Sequence, residues 1–355
     1  MKLVRNKMLP SAIEIVPFSK YTECPPPPNF IIGDLVVEKG VTLVVGAAGI
    51  GKSTLALNAA LSVANGGSFL GWACERGDAI FVNPELSSDA MARRAWQMSE
   101  ALGYPTPDMT DRSDNLCGNL HLLNLRGTAN SLDIIGKRAS QLCEQKKLSP
   151  KLIVFDSLYM LASGDENDAA NVTKNLLAIG RIAEETGAGV IVTHHTTKGS
   201  QSGKSVVDRA SGSGAFGRYV DALAYLGRLD APETEAGSAW RLEFGKTRHT
   251  ATPTPINLRL AFPLHIPDTD EVLNNANYAE DVSARHGDTA SDRERKLLDV
   301  FELLSDANSK CPTIEDLATE MHIAKTTVER WIKTSKNFEK FKPEGEKAHR
   351  VRRLA

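Results

Sequence analysis

Residues 46–53 read GAAGIGKS, and this glycine-rich turn constrains the fold more than any other feature of the sequence. The turn directly follows the apolar run VTLVV and opens the helical pattern STLALNAAL. A strand, a G-x-x-x-x-G-K-[ST] turn and a helix in this order build a loop whose backbone N–H groups surround phosphate oxygens. The chain is therefore expected to be an α/β protein built around a phosphate-binding loop.

The loop predicts ATP as the ligand, with Mg²⁺ beside it. Lys52 would reach the β- and γ-phosphates, and the Ser53 hydroxyl would bind the metal. The alternative is a glycine-rich turn between strand and helix that holds no ligand. The residues expected to bind the nucleotide are Gly46, Ala47, Ala48, Gly49, Ile50, Gly51, Lys52, Ser53 and Thr54.

Two acidic residues follow other apolar strand patterns. Asp156 comes after LIVF, where its carboxylate would hold Mg²⁺ opposite Ser53. Glu85 comes shortly after AIFVN, on a strand expected to neighbour the one before the loop, and would act as the general base for water. The ordinary alternatives are a turn former or helix cap for Asp156 and a first-turn helical residue for Glu85.

Short apolar runs alternate with helical patterns from residue 41 to residue 262, which predicts βαβ units and a buried, mostly parallel central sheet. Residues 221–263 lack a helical pattern and are expected to form antiparallel edge strands. The expected domains are a Pro-rich arm (1–35), an ATPase core (36–264), a polar linker (265–290) and a small C-terminal domain (291–355).

Composition and charge narrow the classes of protein. The chain has 355 residues, of which 41% are hydrophobic and 24% charged, as in ordinary globular proteins. The five cysteines form no CxxC or Cys/His pattern, so neither a zinc site nor a disulfide framework is indicated. No uncharged apolar run is long enough to span a membrane, and the N-terminus lacks a signal-peptide pattern. We therefore expect a cytoplasmic protein without a membrane partner.

These motifs, in this order, resemble those of the RecA-like hexameric motor ATPases, and most closely the RepA-type replicative helicases of plasmids and phages. The resemblance covers residues 30–262 and includes the segments VNPELSSDAMARR, LIVFDSL, RASGSGAF and FGKTR. It implies a RecA-like P-loop NTPase core that hydrolyses ATP. It also implies a homo-oligomer, a hexamer in this family, that holds single-stranded DNA in its central channel.

The resemblance assigns roles to residues beyond the loop. His194 or His195, after the strand GVIVT, would sense the γ-phosphate and relay its presence to a DNA-contacting loop. The segment between His195 and Phe216 is rich in Gly, Ser and Lys, and Lys198 and Lys204 would contact DNA phosphates there. Ordinary strand-end packing and a solvated loop are the alternatives.

Basic residues are also expected to complete the site of a neighbouring subunit. The resemblance places this role on Arg209, or on Lys246 and Arg248, which form a Lys-x-Arg pair. Such a side chain would neutralise charge on the transferring phosphoryl group. Local ion pairs within one chain are the alternative for these three residues.

Residues 291–355 carry a helix-turn-helix pattern, with a C-terminal stretch that could supply the wing of a winged helix. Thr313 and Asp316 have capping-box spacing before the second helix, and Gly345 lies at a predicted hairpin turn. The residues expected to point inward from the third helix are Val328, Trp331 and Ile332.

The C-terminal region is locally basic. From Lys325 onward, ten Lys and Arg residues against four Glu residues give a charge of about +6. Lys325, Arg330 and Lys333 would lie on the exposed side of the third helix and contact duplex DNA. A protein–protein module is the alternative.

Two function classes fit these predictions. The first is an ATP-driven DNA motor, a helicase or translocase for replication of a plasmid, phage or other mobile element. The second is an ATP-switched DNA-binding regulator or a repair mediator that separates no strands, since the same core supports both. A small-molecule kinase fits less well, because a basic loop stands where a lid and an acceptor pocket are expected.

Overall fold

The structure is a computed structural model. It describes residues 17–20, 22–106, 119–128, 132, 134–136, 141, 143, 145, 148–158, 161, 168–196, 205–209, 215–232, 234, 237–269, 271–279, 297–298, 300–301, 304, 311–320, 325–335, 337–343 and 349–353. The strands are β1 (Phe30–Ile32), β2 (Val36–Val37), β3 (Val41–Gly46), β4 (Ser68–Phe69), β5 (Trp72–Ala73), β6 (Asp78–Asn83), β7 (Leu120–Asn124), β8 (Pro150–Phe155), β9 (Gly189–His195), β10 (Ala222–Arg228), β11 (Ser238–Thr247), β12 (Ile256–Ala261), β13 (Leu264–Pro267), β14 (Phe338–Phe341) and β15 (Arg350–Arg353). The helices are α1 (Lys52–Asn65), α2 (Ser88–Ala101), α3 (Ala169–Thr186), α4 (Val206–Arg209), α5 (Ala215–Tyr219), α6 (Ile314–Glu320) and α7 (Lys325–Thr334), with 3-10 turns at Phe18–Lys20 and Glu271–Asn275.

One mixed sheet forms the centre of the fold, with the strand order β13-β12-β11-β10-β3-β9-β8-β6-β7. Strands β10, β3, β9, β8, β6 and β7 run parallel to one another. Their apolar residues follow one another without alternation because protein covers both faces of the sheet. The predicted α/β class with a mostly parallel central sheet is therefore confirmed.

Helices pack on both faces of this sheet. On one face, Leu57 of α1 and Met98 of α2 are buried with Phe81 of β6. On the other face, Leu176 and Ile179 of α3 are buried in a second cluster. Apolar area removed from water contributes roughly 25 cal/mol per Å², so these two layers are the main source of stability. They hold the carboxyl ends of the parallel strands at one edge, where the predicted site residues lie.

Two predictions about strand arrangement are wrong. Strand β10 was expected at an antiparallel edge. It pairs antiparallel with β11, but it also pairs in parallel with β3, because the segment carrying α4 and α5 crosses over from β9. The antiparallel prediction is right for β11 and β12. The strand before Glu85, β6, was expected beside β3, but β9 and β8 lie between them. The connection through α1 leaves two positions between β3 and β6, and the later strands β8 and β9 occupy them.

The core extends beyond both of its predicted boundaries. Strand β1 lies within the predicted arm, yet Ile31 and Ile32 are fully buried. Strand β13 begins at Leu264 and continues into the predicted linker, where Leu273 is also buried, in a cluster with Leu229. These apolar side chains complete the hydrophobic core, so the first part of the predicted linker belongs to it.

Among the described residues of the C-terminal region, helical positions at 297–304 precede the two short helices α6 and α7, and a hairpin of β14 and β15 follows them. The Thr313 hydroxyl accepts the Asp316 N–H at 3.1 Å, and the Asp316 carboxylate accepts the Thr313 N–H at 2.8 Å, so the predicted capping box is present. The three predicted inward residues of α7 are buried: Val328, Trp331 and Ile332. The winged-helix assignment stays a prediction, and Gly345 lies outside the described residues. Within the described part of the chain, no helix is both long and apolar enough to cross a membrane.

Candidate active site

The glycine-rich loop connects β3 to α1 at the carboxyl edge of the sheet. Gly49 and Gly51 have φ angles of 72° and 95°, which side chains disfavour. A Cβ at Gly46 would lie 2.6 Å from the Leu226 carbonyl oxygen of β10, so only glycine fits there. Ile50 is buried and anchors the middle of the loop in the core. The backbone thus takes the strand-turn-helix path that the sequence predicts.

Lys52 begins α1 and turns its ammonium group back over the loop. Its Nζ donates to the carbonyl oxygens of Gly46 at 2.8 Å and Ala47 at 2.7 Å, and lies 3.2 Å from Nδ1 of His195. Burial lowers the pKa of Lys52 to about 8, although the charges of Asp156 and Glu85 oppose the change. The Lys52 ammonium group is therefore held by two carbonyl oxygens and lies near two carboxylates. A phosphate group can attract this cation.

Asp156 directly follows β8 and is buried next to the start of α1. Its Oδ1 accepts a hydrogen bond from the Thr193 hydroxyl of β9 at 2.6 Å. Burial raises the pKa of Asp156, while hydrogen bonds from Thr193 and Ser53 oppose the rise. A hydroxyl and a carboxylate in contact are hard oxygen ligands, which suit Mg²⁺. Ser53 and Asp156 therefore fit the predicted metal site.

Glu85 follows β6 in a turn organised by Asn83. The Asn83 Oδ1 atom accepts the backbone N–H groups of Glu85 at 3.2 Å and Leu86 at 2.9 Å. The Ser157 hydroxyl donates to the Glu85 carboxylate at 2.9 Å. Because Ser157 is the residue after Asp156, this bond joins the ends of two adjacent strands. The carboxylate is held near the Asp156 site even though its strand does not neighbour β3.

The two histidines end β9, beside the end of β3. In the parallel register, His194 is opposite Val45 and His195 is opposite Gly46. Burial lowers the pKa of His194 to about 4 and also lowers the pKa of His195, with the Lys52 charge adding to both changes. Both rings are therefore neutral at pH 7. The His194 ring stacks on Phe216 of α5 at a centroid distance of 4.6 Å, so it contacts the helix after the Lys-rich segment.

A comparison with protein families matches residues 8–201 to the family described as AAA domain, which covers more than half of the chain. The chain belongs to this AAA-domain family. It is a P-loop ATPase, with the nucleotide-binding loop in the matched region. A solved structure described as the ATPase domain of G40P is similar, with a TM-score of 0.48 and 15% identity over 64% of this chain and 85% of that one. No curated protein sequence matched the chain.

A cavity extends from the start of α1, beside the loop, towards the β12–β13 turn. The sequence predicted Ser53, Thr54 and Asp156 as site residues, but not the cavity or the rest of its lining, because those other residues carry no motif. Phe262, in the turn, is 71% exposed, and Arg94 of α2 also lines the cavity. The residues that line the cavity are Ser53, Thr54, Leu57, Phe81, Leu86, Met91, Arg94, Met98, Asp156, Phe262 and Pro263.

Arg209 contacts residues of its own chain. Its guanidinium lies 4.6 Å from the Tyr225 ring centroid and 4.7 Å from that of Tyr278, and its Nη1 is 3.2 Å from a Glu243 carboxylate oxygen. The Tyr278 hydroxyl donates to the same carboxylate at 2.6 Å. The structure therefore shows the local pairing that was the alternative for Arg209, and a role in a neighbouring site stays a prediction.

Lys246 and Arg248 lie at the opposite edge of the sheet from the loop. Thr247, between them, is opposite Ala222, which in turn is opposite Thr42 near the start of β3. Both side chains donate to the Arg218 carbonyl oxygen, at the end of α5. Because β3 separates the two edges by about 15 Å, neither residue can serve its own loop.

The remaining predicted DNA contacts are only partly described. Lys198 and Lys204 lie outside the described residues. Lys325 and Lys333 are exposed at the two ends of α7, and Lys325 lies 3.4 Å from a Glu315 carboxylate oxygen. Arg330 lies in the same helix, but its side chain is not among those described. DNA binding by these residues stays a prediction.

Proposed function

We propose that this P-loop ATPase is an ATP-driven DNA motor, a homo-oligomeric replicative helicase or translocase of a plasmid, phage or mobile element. The observation that carries the proposal is the contact between the catalytic edge and α5, the helix that follows the Lys-rich segment. His194 lies beside the loop strand and stacks on Phe216, which follows that segment in the chain. A change at the nucleotide could therefore be transmitted through His194 and Phe216 to the basic segment that precedes Phe216.

Each residue of the proposed site has a chemical task. Lys52 would leave the carbonyls of Gly46 and Ala47 and bind the β- and γ-phosphates. Ser53 and Asp156 would hold Mg²⁺, which supplies positive charge to the phosphates when bound. Glu85, fixed by Ser157, would take a proton from the attacking water. The exposed Phe262 would offer an aromatic face to the base of the nucleotide.

The positions of Lys246 and Arg248 support an oligomer. They lie at the edge of the sheet away from their own loop, so a phosphate contact requires the loop of a second subunit. Arg248 is 44% exposed and remains available to such a partner. We propose that this pair, rather than Arg209, neutralises charge in the neighbouring site.

The proposed DNA contacts can be tested through their salt dependence. Replacing Lys198 and Lys204 together with alanine should weaken binding of an oligothymidylate on the order of tenfold. The slope of log affinity against log salt should fall by about 1.4, because each phosphate contact contributes about 0.7 on single strands. Fluorescence anisotropy from 50 to 300 mM NaCl, roughly the range over which counterion release is measurable, checks both values.

Lys174→Ala is the matched control, since this exposed lysine of α3 belongs to no proposed site. It should leave both the affinity and the slope unchanged. If the double variant also keeps the wild-type slope, the Lys-rich segment does not contact DNA. The motor proposal is then left without a DNA-binding loop for the central channel. The ATP-switched regulator would then be the better account.

A further inference from the structure

His265 of β13 is buried against the glycine-rich loop. Only 2% of the residue is exposed, and its ring meets the edge of the Trp240 ring at a centroid distance of 6.5 Å. A Cβ at Gly51 would lie 2.9 Å from its Cε1 and 3.1 Å from its Nε2, so the ring packs directly on Gly51. Gly51 is the N-cap of α1 and precedes Lys52. No sequence motif pointed to His265.

The environment of His265 does not satisfy its polar atoms. Neither Nδ1 nor Nε2 has a hydrogen-bond partner among the residues that the structure describes. Burial lowers the pKa of His265 to about 4, so the ring is neutral at pH 7. A neutral imidazole still has one N–H donor and one acceptor nitrogen, and burying both without partners costs free energy. Leucine or phenylalanine would fill this apolar place without that cost.

Several other buried polar groups around the site are paired. His194 Nδ1 also lacks a partner among the described residues, but His265 lacks one at both of its ring nitrogens. Thr193 donates to Asp156, and Asn83 makes hydrogen bonds through both its amide oxygen and its amide nitrogen. A buried polar group without a hydrogen-bond partner in the chain indicates that a bound molecule supplies that partner. The element against which His265 packs, the loop at Gly51, is the one that the nucleotide is proposed to bind.

We infer that His265 is a positioning residue of the nucleotide site, which seats Gly51 and gains a hydrogen-bond partner when nucleotide occupies the loop. The inference rests on the proposed nucleotide site. In the structure Lys52 donates hydrogen bonds to two loop carbonyls. These carbonyls lose their donor when the Lys52 side chain moves to a phosphate, so the hydrogen bonding of the loop must change. His265 lies next to the residue that such an exchange would shift. Because His265 would gain a hydrogen-bond partner only when nucleotide is present, it stabilises the nucleotide-bound form of the loop.

His265→Leu should separate stability from binding. The nucleotide-free variant should unfold at the same temperature as the wild type or higher, because the unpaired polar atoms are gone. Its affinity for ATP should fall about tenfold, which corresponds to about 1.4 kcal/mol. His265→Gln keeps a donor and an acceptor and should recover most of the affinity. Thermal melting and isothermal titration calorimetry measure both quantities.

The control is His121→Leu, which alters a histidine on β7 that is paired with Asp78 at the other edge of the sheet. It should leave ATP affinity unchanged. An unchanged affinity in His265→Leu, beside a wild type that binds ATP through Lys52, would overturn the inference and leave the nucleotide site intact. Equal ATP binding by wild type and Lys52→Ala, or none by either, would overturn the nucleotide site and the inference with it.

A direct readout uses the wild-type protein and does not depend on how the variants fold. The ring ¹⁵N resonances of His265, assigned by their loss in His265→Gln, should shift when ADP is added, because one nitrogen changes its hydrogen bonding. Resonances that stay in place at saturating ADP would mean that a permanent partner, such as a buried water, satisfies the ring. That result would overturn the inference.

Discussion

Replacing Glu85 with glutamine should lower the rate of ATP hydrolysis by about 10² to 10⁴-fold, the usual contribution of a general base. The amide keeps the size of the side chain and can still accept the Ser157 hydroxyl hydrogen bond, but it cannot take a proton from water. Affinity for ATP should change little, because the loop and Lys52 are intact. Steady-state hydrolysis and equilibrium binding of ATP separate these two effects.

Glu100→Gln is the matched control for this experiment. Glu100 lies on the next helix, α2, where its carboxylate accepts only the exposed Trp96 N–H among the described contacts. It should hydrolyse ATP at the wild-type rate. A Glu85→Gln variant that also retains the wild-type rate would show that another group activates the water. The turn organised by Asn83 would then have only a structural role.

Replacing Arg209 with methionine should destabilise the fold by about 3 kcal/mol. Removing one partner of a partly buried pair leaves the other charge without its counter-ion, and here Glu243 would lose its cation. The two tyrosine rings that enclose the guanidinium would lose their cation as well. Urea denaturation of the nucleotide-free protein measures this change in the free energy of unfolding.

Arg248→Met provides the contrast, because Arg248 is half-exposed and its ion pair with Asp221 is long, at 3.9 Å. Its stability should change by less than about 1 kcal/mol, as for other surface pairs. If Arg209 instead entered a neighbouring site, Arg209→Met would keep its stability and lose about 10³-fold or more in turnover. That outcome would contradict the local role that the structure gives to Arg209.

The parts of the site that the sequence predicted are those encoded locally. The loop at residues 46–53 needs its glycines and lysine at fixed spacing, and Asp156 follows an unmistakable buried strand. The groups that hold these residues in place are not encoded in this way. Thr193 and Ser157 are ordinary strand-end residues in the sequence, and only the sheet order brings them to the two carboxylates.

The errors and omissions have the same physical origin. The segment of β10 was grouped with the antiparallel strands because residues 221–263 lack a helical pattern, but its parallel pairing depends on the crossover that precedes it. Arg209 fitted a family motif, but the motif does not show whether Tyr225 and Tyr278 enclose the guanidinium within the chain. His265 has no neighbouring motif at all, and its contact with Gly51 joins residues more than 200 positions apart in the sequence.

The central claim, that nucleotide turnover in this AAA domain drives movement on DNA, is tested most directly by the rate of ATP hydrolysis. We would measure it for wild type and Lys52→Ala, with and without single-stranded DNA, beside the native mass of the wild type. The account predicts a Lys52-dependent rate that DNA raises severalfold, in an assembly of several subunits. A slow rate that DNA does not change, or a stable monomer, would contradict it and favour a nucleotide-switched DNA-binding protein.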